Sequence, residues 1–285
     1  MSNPLSAKFT LNDLRAARAS GRKVPILTCY DFTMARLMQQ AGVPALLVGD
    51  SAGSVVLGHS STIPVSLPFM LELTAAVRRG APNAFLIADM PFGSYQASPA
   101  QGVRNVVSML KFSGCDCVKL EVAASHTTLV SRLADAGVAV MAHLGLRPQW
   151  VGLLGGYRSQ GKTAESANDI VTAAVQMQKA GAAALLLETV PAQVAAAVVA
   201  ATEIPVVGCG AGPACHASVI VTHDALGLTT SRPKFAPLLS QLDGPITAAL
   251  AEYVRRVGAG EYPGPEHQYE MPPEEKAKFL SQQRR

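Results

Sequence analysis

Eight short apolar runs, most ending in a small or polar residue and most separated by helix-like segments, predict a closed (β/α)8 barrel. The runs are VPILTCYD, ALLVGDS, AFLIADMP, CDCVKLE, VAVMAHLG, AALLLET, IPVVGCGAG and SVIVTHD. They are rich in Val, Leu and Ile and too short for ordinary helices, so they read as parallel strands buried on both faces. No low-complexity linker or shift in composition divides the 285 residues. The chain therefore reads as one domain over 1–285, with its barrel core over 24–235.

The intervening elements follow in order. TLNDLRAARASG reads as an N-terminal helix capped by Thr10, suited to closing the barrel bottom. DFTMARLMQQAG is the helix after the first strand. SPAQGVRNVVSMLKFSG opens on Ser98 as cap with Pro99 at the first helical position, and stops at Gly114. The connection from Gly145 to Thr163 is long and irregular, and the helix after the seventh strand is short. From Phe235 a C-terminal helix is expected, followed by the proline-rich tail EYPGPEHQYEMPPEEK.

An apolar content of 49% with 15% charged residues requires a sizeable core and excludes disorder. A net charge of +4 without a basic run, and a single Trp, argue against nucleic acid as a partner. No leader-like or membrane-length apolar stretch is present, so the chain reads as soluble and cytoplasmic. Cys29, Cys115, Cys117, Cys209 and Cys215 form no disulfide framework and read as reduced, buried thiols. The Cys115-x-Cys117 spacing puts both thiols on one strand face, but no second ligand pair follows, and core packing is preferred to a metal site.

GGYRSQGKT contains a full match to the phosphate-loop pattern, with Gly156, Gly161, Lys162 and Thr163 in register. A true phosphate loop leaves a strand directly and opens a helix. Here the match lies inside the long connection after the fifth strand, and it reads as a rim loop.

In a barrel of this kind the chemistry sits at the C-terminal ends of the strands. Those ends carry Asp50–Ser51, Asp89, Lys119 with Glu121, His143, Glu188, a glycine-rich GCGAG and His223–Asp224. Any one of them could cap a helix; the same position in successive units points to a site. Carboxylates from neighbouring strands are hard oxygen ligands suited to Mg²⁺. Lys119 and Glu121, two apart, share a strand face. Lys119 is a candidate anion anchor, with a Schiff-base lysine and a structural ion pair as the competing readings. Glu188 ends a very apolar run, which would raise its pKa toward that of a general base working near neutrality. His143 either orients a substrate or makes a core hydrogen bond.

With these residues aligned, the chain resembles the ketopantoate (3-methyl-2-oxobutanoate) hydroxymethyltransferase family. LTCYDFTMARL, LLVGDSAGSVVLGH, TAAVRRGAPNAFLIADMPF, CVKLE, AHLGLRPQ, GGYRSQGKT, LLLETVP, VVGCGAG, HDALGLT and YPGPEH occur in the family's order over residues 8–267. The resemblance implies transfer of a hydroxymethyl group from 5,10-methylenetetrahydrofolate to 3-methyl-2-oxobutanoate, in pantothenate biosynthesis. It implies Mg²⁺ held by Asp50 and Asp89, with Glu121 completing the site. Asp50, Ser51, Asp89 and Lys119 would contact the keto acid, Glu188 would accept the proton, and the assembly would be a homo-oligomer, commonly a decamer. His216, Ala217 and Ser218 stand where the family usually has Asp-Gly-Gln, which puts the local loop in question. Two other readings compete. A mutase or lyase of the phosphoenolpyruvate mutase type would need a catalytic cysteine loop that is missing here. A ligand sensor on a decayed barrel would not keep all five charged residues.

Overall fold

The strand code is resolved in a computed structural model that describes residues 7–283. Strands β1 (Val24–Thr28), β2 (Ala45–Val48), β3 (Phe85–Asp89) and β4 (Cys117–Glu121) are followed by β5 (Val140–Gly145), β6 (Ala184–Glu188), β7 (Val206–Cys209) and β8 (Ala217–Ile220). They pair in sequence order, all parallel, and β8 returns to β1 through Val24↔Ala217 and Ile26↔Val219. The predicted (β/α)8 barrel is what the chain forms.

Helix α1 (Leu11–Ser20) precedes the barrel, and α2 (Phe32–Gln40) joins β1 to β2. A short α3 (Ala52–Val55) and α4 (Leu67–Gly80) lead to β3, and α5 (Pro99–Ser113) and α6 (Thr127–Asp135) follow β3 and β4. After β5 come α7 (Val151–Leu154) and α8 (Ala164–Lys179), and after β6 comes α9 (Ala192–Ala201). Beyond β8 lie α10 (Thr222–Ala225), α11 (Asp243–Gly258) and α12 (Pro273–Gln282). The caps are where the sequence put them. Thr10 and Asp13 make a reciprocal capping box, Ser98 accepts from the Gln101 amide, and Gly114 closes α5 with φ 69°.

Strand alternation divides the core in two. Ile26, Leu47, Phe85, Ile87, Met141 and Leu186 fill the barrel, and Leu14 and Ala17 of α1 plug its bottom. Leu46, Leu86, Leu120, Leu185 and their alternates face the helices. The inward series of each strand then continues to the mouth. Phe85 and Ile87 lead to Asp89, Cys117 to Lys119 and Glu121, Met141 to His143, and Ala184 and Leu186 to Glu188. The parity that packs the barrel is the parity that delivers charge to its rim.

Four expectations change. Between β7 and β8 there is no helix, because residues 210–216 run straight back to the next strand. The C-terminal helix begins at Asp243, since Pro233 and Pro237 hold the preceding segment out of helical conformation. The tail is not wholly irregular, since Pro273 starts α12. Cys115 precedes β4 and packs among the helices, whereas Cys117 points into the barrel, so the two thiols do not share a face. All five cysteines are free, and no helix among the described residues is long and apolar enough to cross a membrane.

Helix α4 crosses α2 at Gly80. A Cβ there would lie 2.4 Å from the Phe32 carbonyl oxygen and 2.8 Å from the Ala35 Cβ. Backbone cannot yield as a side chain can, so Gly80→Ala forces the helices apart. Overpacking of this kind costs about 1–3 kcal/mol. The thermal midpoint should fall by several degrees, and an unchanged midpoint would show that the α2–α4 contact is loose.

Candidate active site

The charged rim residues meet in one buried cluster. Asp89 ends β3 and Lys119 lies beside it on β4, a registered pair. Their Nζ–Oδ1 distance is 3.0 Å, with both side chains at most 6% exposed. The contact is an ion pair without hydrogen-bond alignment, so Asp89 Oδ1 accepts no hydrogen bond. Asp89 Oδ2 accepts from the Asp50 backbone N–H at 3.0 Å. Asp50 itself sits two residues past β2, on the turn into α3, and reaches the cluster through the loop rather than through strand parity.

Burial pushes Lys119 toward its neutral form, but Asp89, Asp50 and Glu121 outweigh it and hold the ammonium above the ordinary lysine range. Burial raises the Asp89 carboxyl, opposed chiefly by Lys119. The ionised pair is the state consistent with the 3.0 Å contact and the donated Asp50 amide. A lysine held cationic is a charge anchor; a Schiff-base lysine needs a free amine.

His143 lies behind this pair, 1% exposed. Its Nδ1 is 3.1 Å from Lys119 Nζ. An ammonium only donates, so Nδ1 accepts and the hydrogen sits on Nε2. Burial, then Lys119, lowers the imidazole pKa well below its usual value, which keeps the ring neutral. Nε2 is 3.4 Å from Glu188 Oε2, short of hydrogen-bond alignment. The ring thus links Lys119 to Glu188 from beneath.

Glu188 is the one rim carboxylate of β6, its side chain about one-fifth exposed. Burial raises its carboxyl to about 7, with Lys119 opposing. Two backbone features hold it. Gly145 (φ 91°) lets β5 approach so closely that a Cβ there would lie 2.4 Å from the Glu188 carbonyl oxygen. Thr189, a β-branched residue, is held at φ 48°, a strained conformation of the kind that gathers at working sites.

A cavity of about 140 Å³ opens above these groups, lined by Asp50, Ser51, Asp89, Lys119 and Glu188 among others. His143 and Glu121 do not line it. Glu121 is turned aside, its Oε2 accepting the Gln149 backbone N–H at 3.0 Å while Oε1 is unpartnered. Ser51 is held by the Tyr30 hydroxyl at 2.8 Å. A wider vestibule of about 840 Å³ shares Ser51, Thr62, Pro148 and Glu188 with the cavity and extends to Tyr157 and Arg232. Among the described residues no three His, Cys, Asp or Glu side chains form a ready-made metal cage.

A family model described as ketopantoate hydroxymethyltransferase matches residues 8–265. The chain belongs to that family. A 3-methyl-2-oxobutanoate hydroxymethyltransferase of Geobacillus kaustophilus is 47% identical over 259 residues, covering 90% of this chain and 93% of the relative. One from Desulfotalea psychrophila is 44% identical, over 91% and 94%. Among solved structures, a phosphonopyruvate hydrolase, also determined with oxalate and Mg²⁺, superposes with a TM-score of 0.60 at 16–17% identity, covering 96% of both chains. A 2,3-dimethylmalate lyase superposes at 0.57 with 17% identity, covering 96% of this chain and 99% of the other. The chain is an enzyme, a hydroxymethyltransferase, on a barrel shared with the mutase and lyase class. The sensor reading is set aside.

Two motifs resolve outside the buried charged cluster. The phosphate-loop match follows the short helix α7 instead of a strand, and Thr163 serves as the N-cap of α8, accepting from the Ser166 amide. His216 immediately precedes β8, at the end of the barrel remote from the cavity, where its Nδ1 accepts from the Val206 amide at 3.0 Å. The departure from the family's Asp-Gly-Gln is thus built into the β7–β8 pairing. Sequence reading missed Tyr30, Tyr95 and Gln149. HLGLRPQ was the one available signal, and a neutral loop glutamine carries no charge pattern to expose it.

The raised Glu188 carboxyl has a thermodynamic consequence. The folded state keeps its proton to about 7, whereas the unfolded chain releases it near 4.5. Stability from this group therefore falls as pH rises through that window, by on the order of 3 kcal/mol at completion. In metal-free protein, Glu188→Gln should gain thermal stability over the parent from pH 5 to pH 8 and then level off. A gain independent of pH would mean an ordinary, solvated carboxylate.

Proposed function

We propose that this site converts 3-methyl-2-oxobutanoate to 2-dehydropantoate with 5,10-methylenetetrahydrofolate as one-carbon donor, in a Mg²⁺-dependent reaction of pantothenate biosynthesis. One observation carries the reading. A small cavity brings together a buried cationic lysine, two aspartates and a glutamate whose carboxyl is poised near 7. Its volume of about 140 Å³ suits a short branched acid; sites enclosing drug-sized ligands run to roughly 300–1,000 Å³. The adjoining vestibule has the room for a folate and meets the cavity at Glu188 and Ser51.

Asp50 and Asp89 are the groups that would hold Mg²⁺, with Glu121 behind them. The donor set is all oxygen, and Asp89 Oδ1 and Glu121 Oε1 are buried without a hydrogen bond. Mg²⁺ keeps several waters and needs one or two carboxylates plus substrate oxygens, so the missing three-residue cage is no obstacle. A phosphonopyruvate hydrolase of this fold was determined with Mg²⁺ and oxalate, which supports the same choice. When bound, the ion supplies positive charge beside the keto oxygen.

The protein's own groups do the rest. Lys119 pairs with the substrate carboxylate, and Ser51, held by Tyr30, offers it a hydroxyl. Glu188, ionised in good part at neutral pH, accepts the C3 proton. The resulting carbon nucleophile faces the vestibule, where the one-carbon unit is presented. His143 acts from below, fixing Lys119 and bordering Glu188, and is not itself in the cavity.

A single catalytic unit within a homo-oligomer, a decamer by family resemblance, fits the surface. Ile246, Leu250, Val254 and Val257 form one stripe on α11 and are 46–70% exposed, with no residue of that helix buried. Outward-facing Pro25 and Ser218, a registered pair on β1 and β8, are exposed where helical cover is missing. A second copy of the chain would cover both faces. A cytoplasmic location completes the proposal.

Two measurements test it. Enolisation needs no folate, so the protein with Mg²⁺ should exchange the C3 proton of 3-methyl-2-oxobutanoate in deuterated water. Glu188→Gln should slow both exchange and turnover by about 10²–10⁴-fold while keto-acid affinity holds; exchange at the parental rate would remove Glu188 as the base. Leu250→Asp with Val254→Asp should reduce the mass seen by light scattering, and an unchanged mass would move the interface elsewhere.

A further inference from the structure

Gln149 lies outside every strand, in the long connection after β5, yet its side chain is 4% exposed and tied into the charged cluster. Its Nε2 donates to Asp50 Oδ2 at 2.8 Å and to the Met90 carbonyl at 3.0 Å. Its Oε1 accepts from the Tyr95 hydroxyl at 2.9 Å and from Gln96 Nε2 at 3.2 Å. Both amide hydrogens and both lone pairs are thus engaged. The side chain has one workable orientation, because a flip would turn its carbonyl oxygen against the Asp50 carboxylate and the Met90 carbonyl. Its backbone N–H meanwhile donates to Glu121 Oε2 at 3.0 Å.

One residue therefore fixes carboxylates from two different strand ends. Asp50 is carried by a turn, not by strand parity, so nothing in the barrel itself sets the angle of its side chain. We propose that Gln149 is a positioning residue that orients Asp50 for the cation and, through its main chain, anchors Glu121. Gln149 occupies Asp50 Oδ2 from one side, which leaves the carboxylate able to serve the cation. Partners of this kind around ligating carboxylates typically contribute 10–100-fold in metal affinity. The inference rests on the reading of Asp50 as a metal ligand.

The same glutamine seats the connection itself. Pro148, its neighbour, lines both the cavity and the vestibule. Docking of this segment on the cavity wall and orientation of Asp50 are one event, since the bond to Asp50 is also the bond that pins the segment.

The test uses the full chain, stripped of metal, with Mn²⁺ as a paramagnetic probe that shares the oxygen preference of Mg²⁺. Binding of Mn²⁺ alone is followed by electron paramagnetic resonance, and turnover is measured across a Mg²⁺ series. Gln149→Met should weaken Mn²⁺ binding by about 10–100-fold. Its turnover should fall at low Mg²⁺ and recover substantially at high Mg²⁺. Gln149→Glu keeps the shape but sets a carboxylate oxygen against Asp50 Oδ2, so it should lose function without losing packing, and it serves if the methionine variant folds poorly. Tyr95→Phe removes a hydroxyl that reaches Gln149 Oε1 and the Glu121 carbonyl but neither carboxylate, so it should be the mildest of the three. Parental Mn²⁺ affinity in a folded Gln149→Met or Gln149→Glu protein overturns the proposal. Asp50→Asn separates the two levels: if it too binds Mn²⁺ like the parent, the metal site itself is misassigned.

Discussion

Burying Lys119 is the constraint from which the rest of the site follows. An ammonium at 6% exposure inside an apolar barrel is tolerable only beside opposite charge, and Asp89 meets it at 3.0 Å. Asp50 and Glu121 add further negative potential, enough to hold Lys119 above its ordinary range despite burial. One cation is thus surrounded by three carboxyl groups in a place nearly closed to water.

The same electrostatics sets the division of roles. His143 touches the ammonium, so its near nitrogen must accept and the ring stays neutral. Burial sets the Glu188 pKa, with Lys119 as the one opposing charge. Asp89, in contact with the ammonium, is held as its counter-ion, whereas Glu188 makes no ion pair with it.

Barrel architecture explains why this arrangement is stable. Apolar layers fill the interior to within one inward step of the rim, so Asp89, Lys119, Glu121 and Glu188 sit at strand ends on a rigid floor, while Asp50 is carried by a turn. The strained Thr189 and the close approach at Gly145 are borne by the β5–β6 pairing beneath them. The connection after β5 returns Pro148 to the cavity wall and Gln149 to the Asp50 carboxylate behind it.

The amino-acid sequence by itself determined the barrel and the charged rim. Period-two alternation along short apolar strands dictates which residues point inward, and Asp89, Lys119, Glu121 and Glu188 are simply the last members of those inward series. Helix caps such as Thr10 and Ser98 were equally legible, because capping is a local interaction. What only the tertiary structure decided involves partners distant in the chain. Gln149 meets Asp50 across 99 positions, and Tyr95 meets it across 54. His143 proved to lie under the cavity instead of in it, and Cys115 and Cys117 proved to belong to different packing layers. The absence of a helix after β7 and the bare apolar stripe of α11 were also invisible in the sequence. Alternation reports which way a side chain points, whereas its partners depend on how far the rest of the chain has been folded back upon it.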